Sequence, residues 1–115
     1  MKLVERETGL PLDLVIFINS FFQYEKLTNG NFYQAIALWF AKKEECKWRY
    51  GHISFWNTSR VTDMSGSFYG REYFDEDISG WDVRRVTDMS CMFYQASHFN
   101  GDISQWDVSR WLDVL

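Results

Sequence analysis

The sequence has few cysteines, no basic cluster and no long hydrophobic run, and each shortage excludes a class of protein. Two cysteines among 115 residues, Cys46 and Cys91, do not make a disulfide framework, and they fit a reducing compartment. The formal net charge is -4 without a Lys/Arg cluster, so nucleic-acid binding is not expected. The most apolar run, Leu12 to Phe22, has 11 residues, whereas a membrane span needs about 20.

A secretion signal is also not expected. The first residues, Met1 to Glu7, are charged and lead to no apolar stretch that ends in a small-residue cleavage site. The sequence therefore predicts a protein without a membrane span that is intracellular or carried in a virion.

Aromatic side chains are abundant. Hydrophobic residues make up 46% of the sequence and aromatic residues 19%, which is too apolar for a disordered chain. Large rings bury much area per residue, so even a thin architecture can be stable. The length fits one small domain.

A 25-residue repeat fills the second half of the chain. Residues 53–77 and 78–102 align without a gap and share 13 of 25 positions, and a third copy begins at Ile103. The three copies share four columns: Ile53, Ile78 and Ile103; Trp56, Trp81 and Trp106; Arg60, Arg85 and Arg110; Asp63, Asp88 and Asp113. One unit cannot bury its own apolar residues, so we expect successive coils to stack with the Trp column in the core.

The repeat resembles a known family. Its pattern, Ile-Ser-x-Trp followed by Val-Thr-Asp-Met-Ser and Phe-Tyr, is similar to the BspA-type leucine-rich repeat of mycoplasma surface lipoproteins. The resemblance covers residues 53–115 and implies a leucine-rich-repeat-like solenoid that acts in recognition or adhesion without enzymatic activity. We therefore predict an α+β class: a helical N-terminal cap (1–52), then a short solenoid with short parallel strands (53–115).

The N-terminal half does not repeat and has two interpretations. Apolar stripes predict helices after Pro11 and after Asn31, with Asn31 as the cap of the second, and a third helical piece that ends at Gly51. These helices would cover the first coil, because a solenoid end needs a cap. Alternatively, Leu10 to Phe22 is similar to the opening of an F-box, which implies a Skp1-type partner. Most of the chain also resembles short proteins of large DNA viruses of amoebae, which implies a virion component.

The sequence is not expected to form a catalytic site, a cofactor site or a metal site. The Asp63, Asp88 and Asp113 column could bind Ca²⁺, but it lacks the ligand spacing of calcium loops. We expect each Asp to bond backbone amides of its own turn and to face the Arg column. His52 and His98 have no partners at zinc spacing, and the second is expected to be surface variation.

The C-terminal residues are the predicted interaction site. Trp111, Leu112, Val114 and Leu115 are apolar, whereas the free end of a solenoid should be polar. We expect either that Trp111 folds back over the end or that another subunit covers it. The preferred prediction is a non-catalytic interaction or assembly module that contacts other subunits through residues 111–115 and the face of the second coil.

Overall fold

The computed structural model describes residues 24–110. Helix α1 spans Phe32–Ala41 and helix α2 spans Lys43–Tyr50, and a single 3₁₀ turn follows at Ile53–Phe55. The remaining residues, to Arg110, form the coils of the repeat. Neither helix in this part of the chain is long and apolar enough to cross a membrane.

The two helices form where the apolar stripe and the glycine predicted them. One face of α1 is buried through Phe32, Ala35, Ile36 and Trp39. Helix α2 ends at Gly51, whose φ of 85° suits glycine and whose N–H donates to the carbonyl of Lys47 at 3.0 Å. The predicted capping role of Asn31 is wrong, because its side-chain oxygen accepts from the N–H of Thr28 at 2.8 Å and makes no bond to the helix.

The first copy (coil 1, residues 53–77) and the second copy (coil 2, residues 78–102) stack on each other. Coil 1 donates from its backbone N–H groups at Met64, Gly66, Phe68 and Gly70 to the carbonyls of Asp88, Ser90, Met92 and Tyr94, at 2.8–2.9 Å. The N–H of Thr87 donates in the opposite direction, to the carbonyl of Thr62 at 2.8 Å. This ladder fixes the register at 25 residues, as the sequence alignment requires.

The predicted α+β class, with a leucine-rich-repeat-like solenoid of short parallel strands, is wrong. Between residues 24 and 110 the structure has two α-helices and no strand, and its only strand-like pairing is one isolated parallel bridge, Asp63 to Asp88. The physical reason lies in the ladder segment, where the backbone closes a tight turn every two residues. Bonds from Ser67 to Met64, Tyr69 to Gly66 and Arg71 to Phe68 keep this backbone from extending.

The Trp column is buried in the core, as predicted. Trp56, Trp81 and Trp106 are all buried, and the rings of the first two stack at 6.0 Å. The indole N–H of Trp81 donates to the carbonyl of Ile53 at 2.8 Å, and that of Trp106 donates to Ile78 at 3.1 Å. The indoles of Trp81 and Trp106 therefore each join two successive copies, and that of Trp56 donates to the carbonyl of Gly51 at 2.8 Å.

Helices α1 and α2 cover the N-terminal face of coil 1. The rings of Trp39 and Trp56 lie 6.5 Å apart, and those of Phe40 and Phe74 lie 5.8 Å apart. Ahead of α1, Asn29 accepts from the N–H of Thr62 at 3.0 Å, and within α1 the Tyr33 hydroxyl donates to the carbonyl of Ser65 at 2.6 Å. Two side chains thus satisfy backbone groups that would otherwise need a preceding coil.

Candidate functional site

The Asp column builds turns. Asp63 accepts from the N–H of Ser65, and Asp88 accepts from the N–H of Ser90, both at 2.9 Å. These bonds to the charged carboxylate lower the pKa of Asp88 below its ordinary value. In residues 24–110 no group of His, Cys, Asp and Glu side chains could hold a metal ion. Asp113 lies outside the described residues.

Two further columns make the same turn. The sequence predicts polar turns at Asp77 and Asp102, but it does not predict the column of Asn57, Asp82 and Asp107. His52, Asp77 and Asp102 each accept from the backbone N–H two residues later, at 2.9–3.1 Å, and so do Asn57, Asp82 and Asp107, at 3.1 Å. The recurring spacing of an acceptor side chain two residues before Ser or Arg could have revealed them. The acidic composition therefore reflects turn formation at three places in every coil.

The expected pairing of the Arg column with the Asp column is not formed. Arg60, Arg85 and Arg110 are exposed, and none of them enters an ion pair within the part of the chain that the structure describes. The paired arginine of the coils is Arg84, outside the column, whose Nη2 lies 2.8 Å from Oδ2 of Asp82. That guanidinium holds the pKa of Asp82 at about 2.

The histidines and cysteines stand apart from one another. The Nε2 atom of His52 lies 3.7 Å from the carboxylate of Glu76, and the ring of His98 lies 4.7 Å from that of Tyr73 on the surface. Cys46 is a buried free thiol, and burial raises its pKa to about 11. Cys91 is free and exposed.

The C-terminal face of coil 2, the face directed toward the third copy, is the candidate interaction surface. The side chains in one column, Thr58, Val83 and Val108, are 0%, 1% and 43% exposed. In the ring columns, Phe68 and Phe74 of coil 1 are buried, whereas Phe93 and Phe99 of coil 2 are only partly buried. The burial of equivalent side chains therefore decreases toward the C-terminal end of the described stack.

Backbone donors follow the same trend on this face. The coil 2 counterparts of the four ladder donors are the N–H groups of Met89, Cys91, Phe93 and Gln95. They have no acceptor among residues 24–110. The predicted contact residues, Trp111, Leu112, Val114 and Leu115, lie outside the described residues, as does the F-box-like segment Leu10 to Phe22.

A stack of 25-residue copies joined by a buried Trp column and covered by two helices defines a repeat protein. Residues 34–114 match the family described as "Mycoplasma protein of unknown function, DUF285", which is related to the BspA-like repeat proteins. The match covers more than half of the chain, so the chain belongs to this family. No curated protein and no solved structure matches it. The family match bears on neither the viral nor the F-box resemblance.

Proposed function

We propose that the chain is a non-catalytic assembly module that contacts another protein subunit through the C-terminal face of coil 2 together with residues 111–115. The observation that carries this proposal is the decrease in burial toward this face, where Val108 is 43% exposed. The N–H groups of Met89, Cys91, Phe93 and Gln95, which have no acceptor within residues 24–110, lie on the same face. Backbone donors that leave water need partners, and their counterparts in coil 1 all have them. The partly buried rings of Phe93 and Phe99 add apolar area to the same face.

The polarity of the ladder restricts how a partner can approach. Along the ladder from Met64 to Gly70, coil 1 contributes four N–H groups and coil 2 contributes the four carbonyls, whereas Thr87 and His98 of coil 2 donate in the opposite direction. Two copies that met face to face across a two-fold axis would set one row of N–H groups against another. The partner surface should instead present carbonyl oxygens, so the contact is heterologous. A carbonyl-bearing surface of this kind is what the N-terminal side of a further coil presents.

The test is the mass of the purified chain across concentration, alone and with its co-purifying subunit. Val108→Asp places a charge on the 43% exposed residue at the open end and should abolish association. Phe55→Asp is the matched control, because Phe55 is 86% exposed but belongs to coil 1, away from that end. Deletion of residues 111–115 should weaken association while the chain stays folded. A stable monomer at all concentrations, with no co-purifying subunit, would contradict the proposal.

A further inference from the structure

Four arginine side chains line one open groove on the side of the stack. Arg60, Arg84, Arg85 and Arg110 surround a cavity of about 890 Å³ together with the carboxylates of Asp82 and Asp107. Four arginines against two aspartates leave two positive charges in excess, although the whole chain carries -4. The groove is therefore a basic surface on an acidic protein.

Most of the hydrogen-bonding capacity of this groove is unused within the described residues. Arg84 is engaged, since its Nε and Nη2 atoms bond the two oxygens of Asp82 at 3.0 and 2.8 Å. Asp107 accepts from the N–H of Ser109 at 3.1 Å. Arg60, Arg85 and Arg110 are exposed and form no ion pair between residues 24 and 110. Among the residues that the structure describes, no carboxylate occupies their guanidinium groups, which can therefore donate to an anionic ligand.

The spacing of these three arginines follows from the repeat. They occupy the same position in successive copies, and rings at equivalent positions in adjacent coils lie 5.7–6.0 Å apart. In an extended peptide, side chains on one face repeat every two residues, which is about 6.6 Å. Carboxylates at alternate residues of such a peptide would meet successive guanidinium groups.

We propose that this groove binds an extended acidic peptide segment, with Arg60, Arg85 and Arg110 each donating to one carboxylate. Paired N–H donors of a guanidinium match the two oxygens of a carboxylate, which makes arginine better suited to this task than lysine. The carboxylates of Asp82 and Asp107 favour a peptide over a nucleic acid. They repel a continuous row of phosphates, whereas the N–H groups of a peptide can donate to them. None of the backbone donors and rings named on the C-terminal face of coil 2 lines this groove. Peptide binding and subunit association are measured separately, so the two proposals can fail independently.

Fluorescence anisotropy of labelled peptides with the full chain at low salt tests this proposal. A peptide of alternating Glu and Ser should bind, and the matched peptide of alternating Gln and Ser should not. Combining Arg60→Gln, Arg85→Gln and Arg110→Gln should weaken binding at least about tenfold, since three charge pairs are lost. Arg71→Gln is the control, because Arg71 lies over the Phe40 ring at 4.1 Å, outside the groove. All variants change exposed residues, and unchanged thermal melting would verify that they fold.

Three results would overturn the proposal. The first is equal binding of the Glu and Gln peptides, or no binding of either. The second is a triple variant that binds the Glu peptide as well as the Arg71→Gln control does. The third is tighter binding of a single-stranded oligonucleotide of matched charge, which would identify the groove as a phosphate-backbone site.

Discussion

Coil 1 lies between two neighbours, the helical pair on one side and coil 2 on the other. Coil 2 has coil 1 on one side, and on the other side residues 103–110 cover only part of its face within the described chain. Their sequences agree at 13 of 25 positions, so their difference in burial comes mainly from these surroundings. Phe68 of coil 1 has no exposed surface, whereas its counterpart Phe93 is partly buried. In a stacked protein the position of a copy in the stack therefore decides how much each of its residues contributes to stability.

The backbone conformation, in contrast to burial, is the same in both coils, even at positions where the residue types differ. Gly66 and Gly70 of coil 1 have φ values of 63° and 72°. Their counterparts in coil 2, Cys91 and Gln95, adopt 54° and 60° although neither is glycine. This left-handed region costs an ordinary residue roughly 1–2 kcal/mol. The turns that build the ladder therefore impose the conformation, and coil 2 tolerates the strain.

The largest effect that we expect concerns Trp81 of coil 2, whose indole N–H donates to Ile53 of coil 1. Its ring packs on Trp56 at 6.0 Å and on Phe68 and Phe32, both at 5.9 Å. Truncation of Trp81 to Ala should lower the free energy of unfolding by about 3–5 kcal/mol, because a buried cavity forms and the indole bond to Ile53 is lost. Thermal or urea unfolding measures this. A Trp81→Ala protein with near-normal stability would refute the role of the Trp column as the core.

The next prediction compares equivalent aromatic residues of the two coils. Phe68→Ala should cost about 3–5 kcal/mol of unfolding free energy, as expected for a fully buried ring. Phe93→Ala should cost clearly less, because its ring is only partly covered within residues 24–110. Urea unfolding of both variants gives the comparison. Equal costs would mean that Phe93 is as enclosed as Phe68, which would remove the apolar argument for an open face on coil 2.

The repeat, the buried Trp column and helices α1 and α2 could be predicted from the sequence, because they depend on apolar spacing and a glycine stop. The strand class could not, since Val61-Thr62-Asp63-Met64 reads as an extended segment, while the turns after Met64 depend on bonds to residues 24 positions away. The neighbouring residues likewise do not indicate the positive φ of Cys91, because this conformation also depends on bonds to the adjacent coil. It became predictable only by alignment with Gly66, which marks the turn.

The candidate site was less predictable. The sequence pointed only to the end of the stack, and it paired Arg60 and Arg85 with the Asp63 and Asp88 carboxylates. A column in the sequence gives the spacing of side chains but not their direction. The expected bonds from each carboxylate to its own turn are formed, but the expected contacts with the arginines are not. The groove that the arginines line together with Asp82 and Asp107 depends on the side on which each turn projects, which only coordinates provide.

A pair of reciprocal substitutions tests whether the coils share one backbone. Gln95→Gly should raise the free energy of unfolding by about 0.5–1 kcal/mol, since relief of the left-handed strain exceeds the entropy that glycine adds to the unfolded chain. Gly70→Ala should lower it by about 1 kcal/mol, although a Cβ atom at Gly70 would meet nothing within 4 Å. Differential scanning calorimetry resolves shifts of this size. If Gln95→Gly destabilised the protein, the conformation assigned to coil 2 would be wrong.

The smallest effect that we expect is a difference between the coils in acid. Asn57 of coil 1 and Asp82 of coil 2 accept the same turn bond, but only Asp82 titrates, and the hydrogen bonds from Arg84 lower its pKa from 3.8 to about 2. A lowered folded pKa means that ionised Asp82 stabilises the fold at pH values above the unfolded pKa. That contribution should be lost as the pH falls from about 4 to 2. Asp82→Asn, which copies coil 1, should remove this part of the acid sensitivity, while Asn57→Asp should add to it. Unfolding free energies measured between pH 2 and pH 5 test both variants. Identical pH profiles for Asp82→Asn and the unmodified chain would show that the Asp82–Arg84 pair contributes nothing to stability.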